Sequence, residues 1–137
     1  MTDEATAILE NLKIYFSQKN AVNLALLFGS AIKDTFRDTS DVDIAIDFFA
    51  KDENDRLDKW LAMRAELEQL LKREIDLLDL SKLEGLVLSK VMEQNIRIKN
   101  NSSLYADYNL KAIYFNEDFL PTLREIQSKR IKRFVNG

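Results

Sequence analysis

The sequence of 137 residues contains neither cysteine nor histidine. Without cysteine the chain can form no disulfide and no zinc–thiolate site, which is compatible with a reducing cytoplasm. Without histidine it can build no Ser-His-Asp triad, no Cys-His pair and no histidine-ligated metal centre. Any acid–base or metal chemistry must therefore use Asp, Glu, Lys or Tyr side chains.

Long apolar runs are also missing, since none reaches the length needed to span a membrane. The N-terminal stretch MTDEATAILENL lacks the basic region and the long apolar region of a signal peptide. The net charge of −3 disfavours a general nucleic-acid binder, although a local basic patch stays possible. We expect a cytoplasmic protein that binds no membrane and makes no direct contact with nucleic acid.

The composition is that of a globular domain, with 46% hydrophobic and 31% charged residues. The length predicts one compact domain with a sizeable core. The sequence Asn100-Asn101-Ser102-Ser103 interrupts the hydrophobic pattern. We therefore expect a core over residues 1–99 and a C-terminal helical extension over residues 100–137, packed on the same domain.

The stretch ALLFGSAIKDTFRDTSDVDIAID, residues 25–47, carries the most specific pattern. An apolar run ends at Gly29-Ser30, and a second one follows Asp41-Val42-Asp43. This pattern predicts a strand, a tight turn into a short helix, a polar loop and a second strand. Because alternate side chains of a strand share a face, Asp41 and Asp43 are expected to point the same way.

These residue types suit a nucleotide and a metal ion. Neighbouring carboxylates repel each other unless a cation lies between them, and an all-oxygen ligand set suits magnesium or manganese. Gly29 permits close approach to a ligand, and Ser30 can cap a helix whose free N–H groups favour an anion. Lys33 and Arg37 are candidates for phosphate contacts, although such loop charges are as often simply solvated.

A third apolar stretch, REIDLLDL over residues 73–80, predicts a strand in the sheet interior. It contains two acids, Asp76 and Asp79, and an acid buried in a strand is costly unless it is paired or bound to metal. Asp79 lies near the end of the strand, where it can instead cap the next helix.

Helical spacing of apolar residues predicts helices around these strands. One begins near Thr2, a long one has its apolar stripe between Leu57 and Leu71, and a third begins near Ser81. Residues 96–99 alternate like a short edge strand. Two further helices are predicted after residue 103, the last ending in basic residues that form either a solvated face or a contact with an acidic partner or nucleotide: Lys129, Arg130, Lys132 and Arg133.

The pattern Gly-Ser-x10-Asp-x-Asp resembles the signature of the polymerase-beta-like nucleotidyltransferases, and in particular of the minimal nucleotidyltransferases (MNT domains) that act as antitoxins to HEPN-domain toxins. The resemblance implies an α/β fold with a small mixed sheet flanked by helices and a C-terminal helical tail. It also implies two Mg²⁺ ions, with Mn²⁺ as an alternative, and ATP as substrate. Asp41 and Asp43 would hold both ions, and Asp76 would be the third catalytic carboxylate.

The resemblance further implies that AMP is transferred from ATP to a tyrosine of a cognate HEPN ribonuclease toxin, which silences the toxin. Gly29 and Ser30 would hold phosphates through their backbone N–H groups and the hydroxyl. Relatives often carry Arg and a second Gly soon after Gly-Ser, where this chain has Ile32, Lys33 and Asp34. Two alternatives stay open: neutralisation of the toxin by binding alone, and nucleotide transfer to a small hydroxylated molecule.

Overall fold

The computed structural model describes residues 1–115, in which a four-stranded sheet carries two helices on each face. One-turn 3-10 helices cover Gly29–Ile32 and Leu80–Lys82. The longer elements, in chain order, are α1 (Asp3–Ser17), β1 (Val22–Phe28), β2 (Val42–Phe48), α2 (Glu53–Leu71), β3 (Ile75–Asp79), α3 (Gly85–Glu93), β4 (Ile96–Lys99) and α4 (Ser102–Tyr114).

The sheet is mixed, with the strand order β3-β2-β1-β4. β1 pairs antiparallel with β2 and with β4, whereas β2 and β3 are parallel. The predicted fold class, a small mixed sheet flanked by helices, is confirmed for this part of the chain. The prediction of an edge strand over residues 96–99 is confirmed as well.

Each face of the sheet is buried against a different pair of helices, because neighbouring residues of a strand point to opposite faces. Leu27 and Ile44 belong to the core under α1 and α2, which also contains Phe16 and Leu67. Leu24, Leu26 and Ala45 belong to the core under α3 and α4. This alternation explains the continuous apolar runs of β1 and β2, which are buried on both sides.

β3 lies at an edge of the sheet, so the prediction that it runs through the sheet interior is wrong. Its side chains Ile75 and Leu77 are buried, but Asp76 between them is exposed. The sequence pattern misleads here because one buried face is enough to give the strand its apolar residues. The cost of burying Asp76, which the sequence argument invoked, does not arise.

The helix termini follow local capping chemistry. The Thr2 hydroxyl oxygen accepts a hydrogen bond from the Ala5 N–H at 3.1 Å, which confirms the expected start of α1. α3 begins at Gly85 rather than near Ser81, because Asp79 caps the short turn Leu80–Lys82 and Gly85 has a positive φ of 59°. The last predicted helix and the basic residues that follow it lie outside the described residues.

The apolar stripe expected on α2 is buried only in part. Met63 and Leu67 are buried, whereas Leu57, Leu61 and Leu70 are each more than two-fifths exposed. α4 packs beside α3 and shares its core. The predicted division of the chain into a core over residues 1–99 and an extension over residues 100–137 stays a prediction. Across residues 1–115, no helix combines the length and the apolar character that a membrane crossing would require.

Candidate active site

Asp43 and Asp76 lie side by side on neighbouring strands. They are register partners in the parallel pair β2–β3, and the next residues along each strand, Ile44 and Leu77, are also partners. The two carboxyl groups are close enough to interact through charge and a hydrogen bond. The pleat turns Asp43 away from the α1–α2 core, to which Val42 and Ile44 belong, toward the side of the sheet that α3 and α4 cover.

The pKa of Asp43 is raised from its ordinary value to about 6. Burial is the main cause, followed by the negative charges of Asp76 and Asp41, and the backbone N–H of Ser30 partly opposes the rise by donating to the Asp43 carboxylate. Burial and the neighbouring negative charges both disfavour the ionised carboxylate, and the contacts around Asp43 compensate this only in part. Such a shift is a common property of ligand sites.

The Gly29–Ser30 turn lies directly against Asp43. Phe28, the last residue of β1, is the register partner of Asp43. Gly29 has a φ of 73°, and a Cβ added there would stand 2.0 Å from Asp43 Oδ2. Both the left-handed backbone and the space taken by the carboxylate therefore require glycine at this position.

The role predicted for Ser30 as a helix cap is wrong. The helix after Gly29 is a single 3-10 turn that has no side-chain cap. The Ser30 hydroxyl instead donates to the backbone oxygen of Asp41 at 3.4 Å, while the Ser30 N–H is directed at the Asp43 carboxylate. Ser30 thus contacts both acidic positions of the Asp-x-Asp pattern.

Asp41 is placed by a loop and not by the sheet, contrary to the expectation that it shares a strand with Asp43. β2 begins at Val42, so Asp41 precedes it and its side chain is exposed. Its charge nevertheless contributes to the raised pKa of Asp43, so the two carboxylates are neighbours. The structure therefore brings together the three predicted acids, beside the glycine turn.

The chemistry of this group fits a divalent cation, since it offers hard oxygen donors and an uncompensated negative charge. Within residues 1–115, however, no three acidic side chains are arranged ready to ligate one metal ion. A cation bound by Asp41, Asp43 and Asp76 would have to draw their carboxylates closer together. The assignment of metal ligands stays a prediction.

A cavity of about 400 Å³ adjoins the glycine turn and opens between it and the end of α3. Lys33 lines this cavity, although its predicted phosphate contact stays a prediction, and among residues 1–115 neither Lys33 nor Lys90 forms an ion pair. Arg37 does not line the cavity. The full lining is Phe28, Gly29, Lys33, Lys90, Glu93 and Gln94.

Lys90 and Gln94 were missed by the sequence argument. Both lie near the end of α3, and Lys90 reads in sequence as an ordinary exposed helix lysine. Only the fold brings the end of α3 beside Gly29. The sequence does not single out these two residues, because β2, α2 and β3 separate α3 from Gly29 in the chain.

Two cavities of similar size are less suited to a phosphate ligand. The one between α1 and α2, about 440 Å³, contains Lys19 and Tyr15, but both bind Glu66, at 2.9 and 2.6 Å. A cavity of about 430 Å³ beside α2 contains Arg56, which forms an ion pair with Asp79 at 2.9 Å. The cavity beside Gly29 differs from these because its lysines have no carboxylate partner within the described residues.

Asp79 is separate from the candidate site. Besides its ion pair with Arg56, it accepts hydrogen bonds from the Ser81 N–H and hydroxyl at 3.0 and 2.7 Å. Three positions along the strand from Asp76, it lies on the opposite side of the pleat. The alternative that Asp79 caps the following turn is therefore confirmed.

Sequence comparison gives two matches. The family model described as "Polymerase beta, Nucleotidyltransferase" matches residues 10–104 of this chain, a span that contains the whole candidate site. A protein of Methanocaldococcus jannaschii described as a "putative protein adenylyltransferase" is 28% identical over 80 residues, which are 58% of this chain and 83% of that protein.

Structure comparison gives matches of the same kind. One chain of a crystal structure of a toxin–antitoxin with AMP-PNP has a TM-score of 0.68 and 22% identity, covering 89% of this chain and 98% of that chain. One chain of a complex of tri-AMPylated Shewanella oneidensis HEPN toxin with MNT antitoxin has a TM-score of 0.62 and 18% identity, covering 93% and 98%. At these identities the likeness establishes the fold.

The raised pKa of Asp43 predicts a pH-dependent gain in stability for Asp43→Asn. In the unfolded chain the pKa is near the ordinary value of 3.8, so the wild type loses stability as the pH rises from there through about 6. We expect Asp43→Asn, which keeps an acceptor for the Ser30 N–H, to raise the free energy of unfolding by about 1 kcal/mol near neutral pH, after allowance for solvent screening. Urea titration with chelator present measures this.

The gain should disappear at about pH 4, where Asp43 is protonated in the folded wild type. Asp38→Asn is the control, because Asp38 is an exposed acid in the loop before Asp41. An equal gain in the free energy of unfolding at both pH values, or a loss near neutral pH, would contradict the raised pKa of Asp43 beside its like-charged neighbours.

The contact of Gly29 with Asp43 predicts that Gly29→Ala is more harmful than Gly85→Ala. Both glycines have positive φ, 73° and 59°, so each alanine is strained, at about 1 kcal/mol. Of these two glycines, only Gly29 has a side chain in the place of the new Cβ, whereas at Gly85 the Cβ would stand 3.5 Å from the Phe115 ring. We expect Gly29→Ala to lose about 1–3 kcal/mol more than Gly85→Ala in urea unfolding. Equal losses would argue against the close approach.

Proposed function

Because this chain belongs to the polymerase beta nucleotidyltransferase family, we propose that it transfers AMP from ATP to a hydroxyl group of a partner protein. The observation that carries the proposal is the Asp43–Asp76 pair on adjacent parallel strands, with the Gly29–Ser30 turn packed against it. In this proposed role the carboxylates would bind a cation, and they lie beside a cavity whose lysines form no ion pair within residues 1–115. A nucleoside triphosphate with its metal ions has the complementary charges.

The comparisons support a protein as acceptor. The Methanocaldococcus jannaschii relative is described as a protein adenylyltransferase, if only a putative one, and the Shewanella oneidensis complex contains a HEPN toxin that is AMPylated. We therefore propose that this chain is an antitoxin whose partner is a HEPN-domain toxin, and that a tyrosine hydroxyl of the toxin is the acceptor. The neighbour solved with AMP-PNP supports ATP as the donor.

In the proposed reaction the acceptor oxygen forms a bond to the α-phosphorus of ATP. The bond from this phosphorus to the bridging oxygen breaks, and pyrophosphate leaves. Asp76 would take the proton of the acceptor hydroxyl, and its exposed position on the edge strand β3 suits an acceptor carried by a large partner. Asp41, Asp43 and Asp76 would hold Mg²⁺, which supplies charge stabilisation to the attacking and leaving oxygens when bound.

The glycine turn and the lysines would hold the phosphates. The Ser30 N–H is directed at Asp43 and the Ser30 hydroxyl donates to the Asp41 backbone oxygen, so the hydroxyl would have to turn from that oxygen to bind a phosphate. Lys33 and Lys90, which both line the cavity, would neutralise the β- and γ-phosphates. Arg37 keeps its predicted phosphate role only if its exposed side chain turns toward the cavity.

A second candidate is an antitoxin that neutralises its toxin by binding alone. It is favoured by one observation, the absence of a ready three-ligand metal arrangement within residues 1–115. A third, transfer to a small hydroxylated molecule, keeps the same chemistry with another acceptor.

One experiment separates the three candidates. The protein is incubated with ATP labelled at the α-phosphate, Mg²⁺ and a HEPN-domain protein encoded next to it, and the products are separated by mass. Label on a tyrosine of the HEPN protein supports the proposal, and label on a small molecule supports the third candidate. A stable complex without label supports neutralisation by binding.

Loss of one carboxylate should abolish transfer without unfolding the chain. We expect Asp41→Asn, Asp43→Asn and Asp76→Asn each to lower the transfer rate by about three orders of magnitude, or roughly 4 kcal/mol of barrier. Asp38→Asn, in the same loop as Asp41, should retain wild-type activity. Full activity in Asp43→Asn would show that the carboxylate pair is not the reaction centre.

The lysines of the cavity should affect ATP affinity more than turnover. We expect Lys33→Ala and Lys90→Ala each to raise KM for ATP by about tenfold, because each removes a charged contact to phosphate. Lys13→Ala is the control, since Lys13 is an exposed lysine of α1 away from the cavity. Unchanged KM values in both cavity variants would place the triphosphate elsewhere.

A further inference from the structure

We propose that Arg73 is a positioning residue that fixes Asp41 for metal binding, an inference that rests on the proposed function of the carboxylate group. Asp41 is the one acid of the group that the sheet does not hold, since β2 begins at Val42. Its place relative to Asp43 and Asp76 therefore depends on how the preceding loop is anchored.

Arg73 is a long-range anchor of that loop and the one that binds the residue directly before Asp41. Its Nη1 donates to the backbone oxygens of Arg37 and Ser40, at 3.2 and 3.0 Å. Its guanidinium carbon stands 4.7 Å from the centre of the Phe36 ring, which is itself buried in the α1–α2 core. The Arg73 side chain is only 12% exposed, so these contacts are made in a largely water-excluded position.

The bond to Ser40 acts directly on Asp41. The Ser40 carbonyl belongs to the peptide group that joins Ser40 to Asp41, so a donor fixed on this oxygen fixes the plane from which Asp41 extends. Besides Arg73, the Ser30 hydroxyl donates to the Asp41 backbone oxygen at 3.4 Å, and the Met1 ammonium donates to the Asp34 carboxylate at 3.1 Å. The remaining hydrogen bonds of the loop are local, such as Ser40 N–H to the Arg37 oxygen at 3.0 Å, and Arg37 N–H to the Ser40 hydroxyl at 2.9 Å. Local bonds shape a turn without orienting it against the sheet.

Arg73 also connects this loop to the strand of the second acid. It lies just before β3, three residues ahead of Asp76, and the neighbouring Glu74 oxygen accepts from the Val42 N–H at 3.1 Å. The charge of Arg73 is paired with Glu4 of α1. We therefore assign its influence on Asp41 to hydrogen-bond geometry and not to its electric field.

Arginine is the residue that this arrangement needs. Its planar guanidinium offers five N–H donors in fixed directions, so that it can bind two carbonyls and a carboxylate while its face stacks on an aromatic ring. A lysine ammonium keeps the charge but cannot stack in this way or hold the same directions. Arg73→Lys thus removes the geometry with little change in charge.

The test compares Mn²⁺ binding in four nucleotide-free proteins: wild type, Arg73→Lys, Asp41→Asn and the double variant, each titrated by electron paramagnetic resonance. We expect Arg73→Lys to weaken Mn²⁺ binding by about tenfold, as loss of a residue that orients a metal ligand commonly does. In the Asp41→Asn background the same change should have no effect, because the ligand that Arg73 orients is gone. Equal weakening in both backgrounds, or none in either, overturns the proposal.

Arg56→Lys is the matched control. Arg56 is also a largely buried arginine that stacks on a phenylalanine, Phe48, and binds a β3 carboxylate, Asp79, but it makes no contact with the loop. It should lose stability as Arg73→Lys does and leave Mn²⁺ affinity within twofold of wild type. If Arg73→Lys does not fold, Phe36→Leu removes the stacking partner and should weaken Mn²⁺ binding in the same direction.

A metal-free measurement decides the case in which wild type binds no Mn²⁺. Amide hydrogen exchange should be faster at Ser40, Asp41 and Val42 in Arg73→Lys than in wild type and in Arg56→Lys. Unchanged exchange there overturns the proposal. Failure of nucleotide transfer by the wild type would instead contradict the proposed function, and it leaves both of these measurements valid.

Discussion

The repulsion between Asp43 and Asp76 is the constraint around which this site is built. Parallel pairing of β2 and β3 makes the two residues register partners, and burial from the side of β1 raises the pKa of Asp43 to about 6. The remaining neighbours accommodate the carboxylate instead of neutralising it. Gly29 gives it space by lacking a Cβ, and Ser30 gives it a single backbone donor. A carboxylate buried beside like charges lowers the stability of the fold, and under the proposed function a bound cation would offset that cost.

Two kinds of structure place the acids, and they differ in stiffness. Asp43 and Asp76 are fixed by the sheet, whose register cannot slip by one residue without turning Val42 and Ile44 out of the core. Asp41 lies in a loop that is held by side chains, with Arg73 bound to the Ser40 oxygen and the Ser30 hydroxyl bound to the Asp41 oxygen. The sheet therefore makes the positions of Asp43 and Asp76 rigid, whereas the loop leaves the position of Asp41 adjustable. This difference agrees with the finding that, within the described residues, the three carboxylates are not arranged ready to ligate one metal ion.

The sequence predicted the parts of the molecule that depend on local chemistry. The end of β1, the turn at Gly29 and the start of α1 follow from an apolar run, a glycine and a capping threonine. The sequence failed where position depends on strand order: nothing in REIDLLDL distinguishes an edge strand from an interior one. It also could not reveal Lys90, which becomes a cavity residue only because α3 ends beside Gly29. The contacts of Arg73 left no signal either, because their acceptors are backbone oxygens that any residue possesses.

The edge position of β3 turns out to matter for the proposed chemistry. In an interior strand Asp76 would be enclosed by a further strand, and only a small acceptor could reach it. At the edge it is exposed on the same side of the sheet as Asp43, and the cavity lined by Lys33 and Lys90 adjoins the glycine turn that packs against Asp43. A nucleotide that extends from this cavity to Asp43 and Asp76 would keep its β- and γ-phosphates in the cavity and its α-phosphorus near the carboxylates. The acceptor could then approach from solvent, and this geometry favours a hydroxyl carried on the surface of another protein over one that must be enclosed in a pocket.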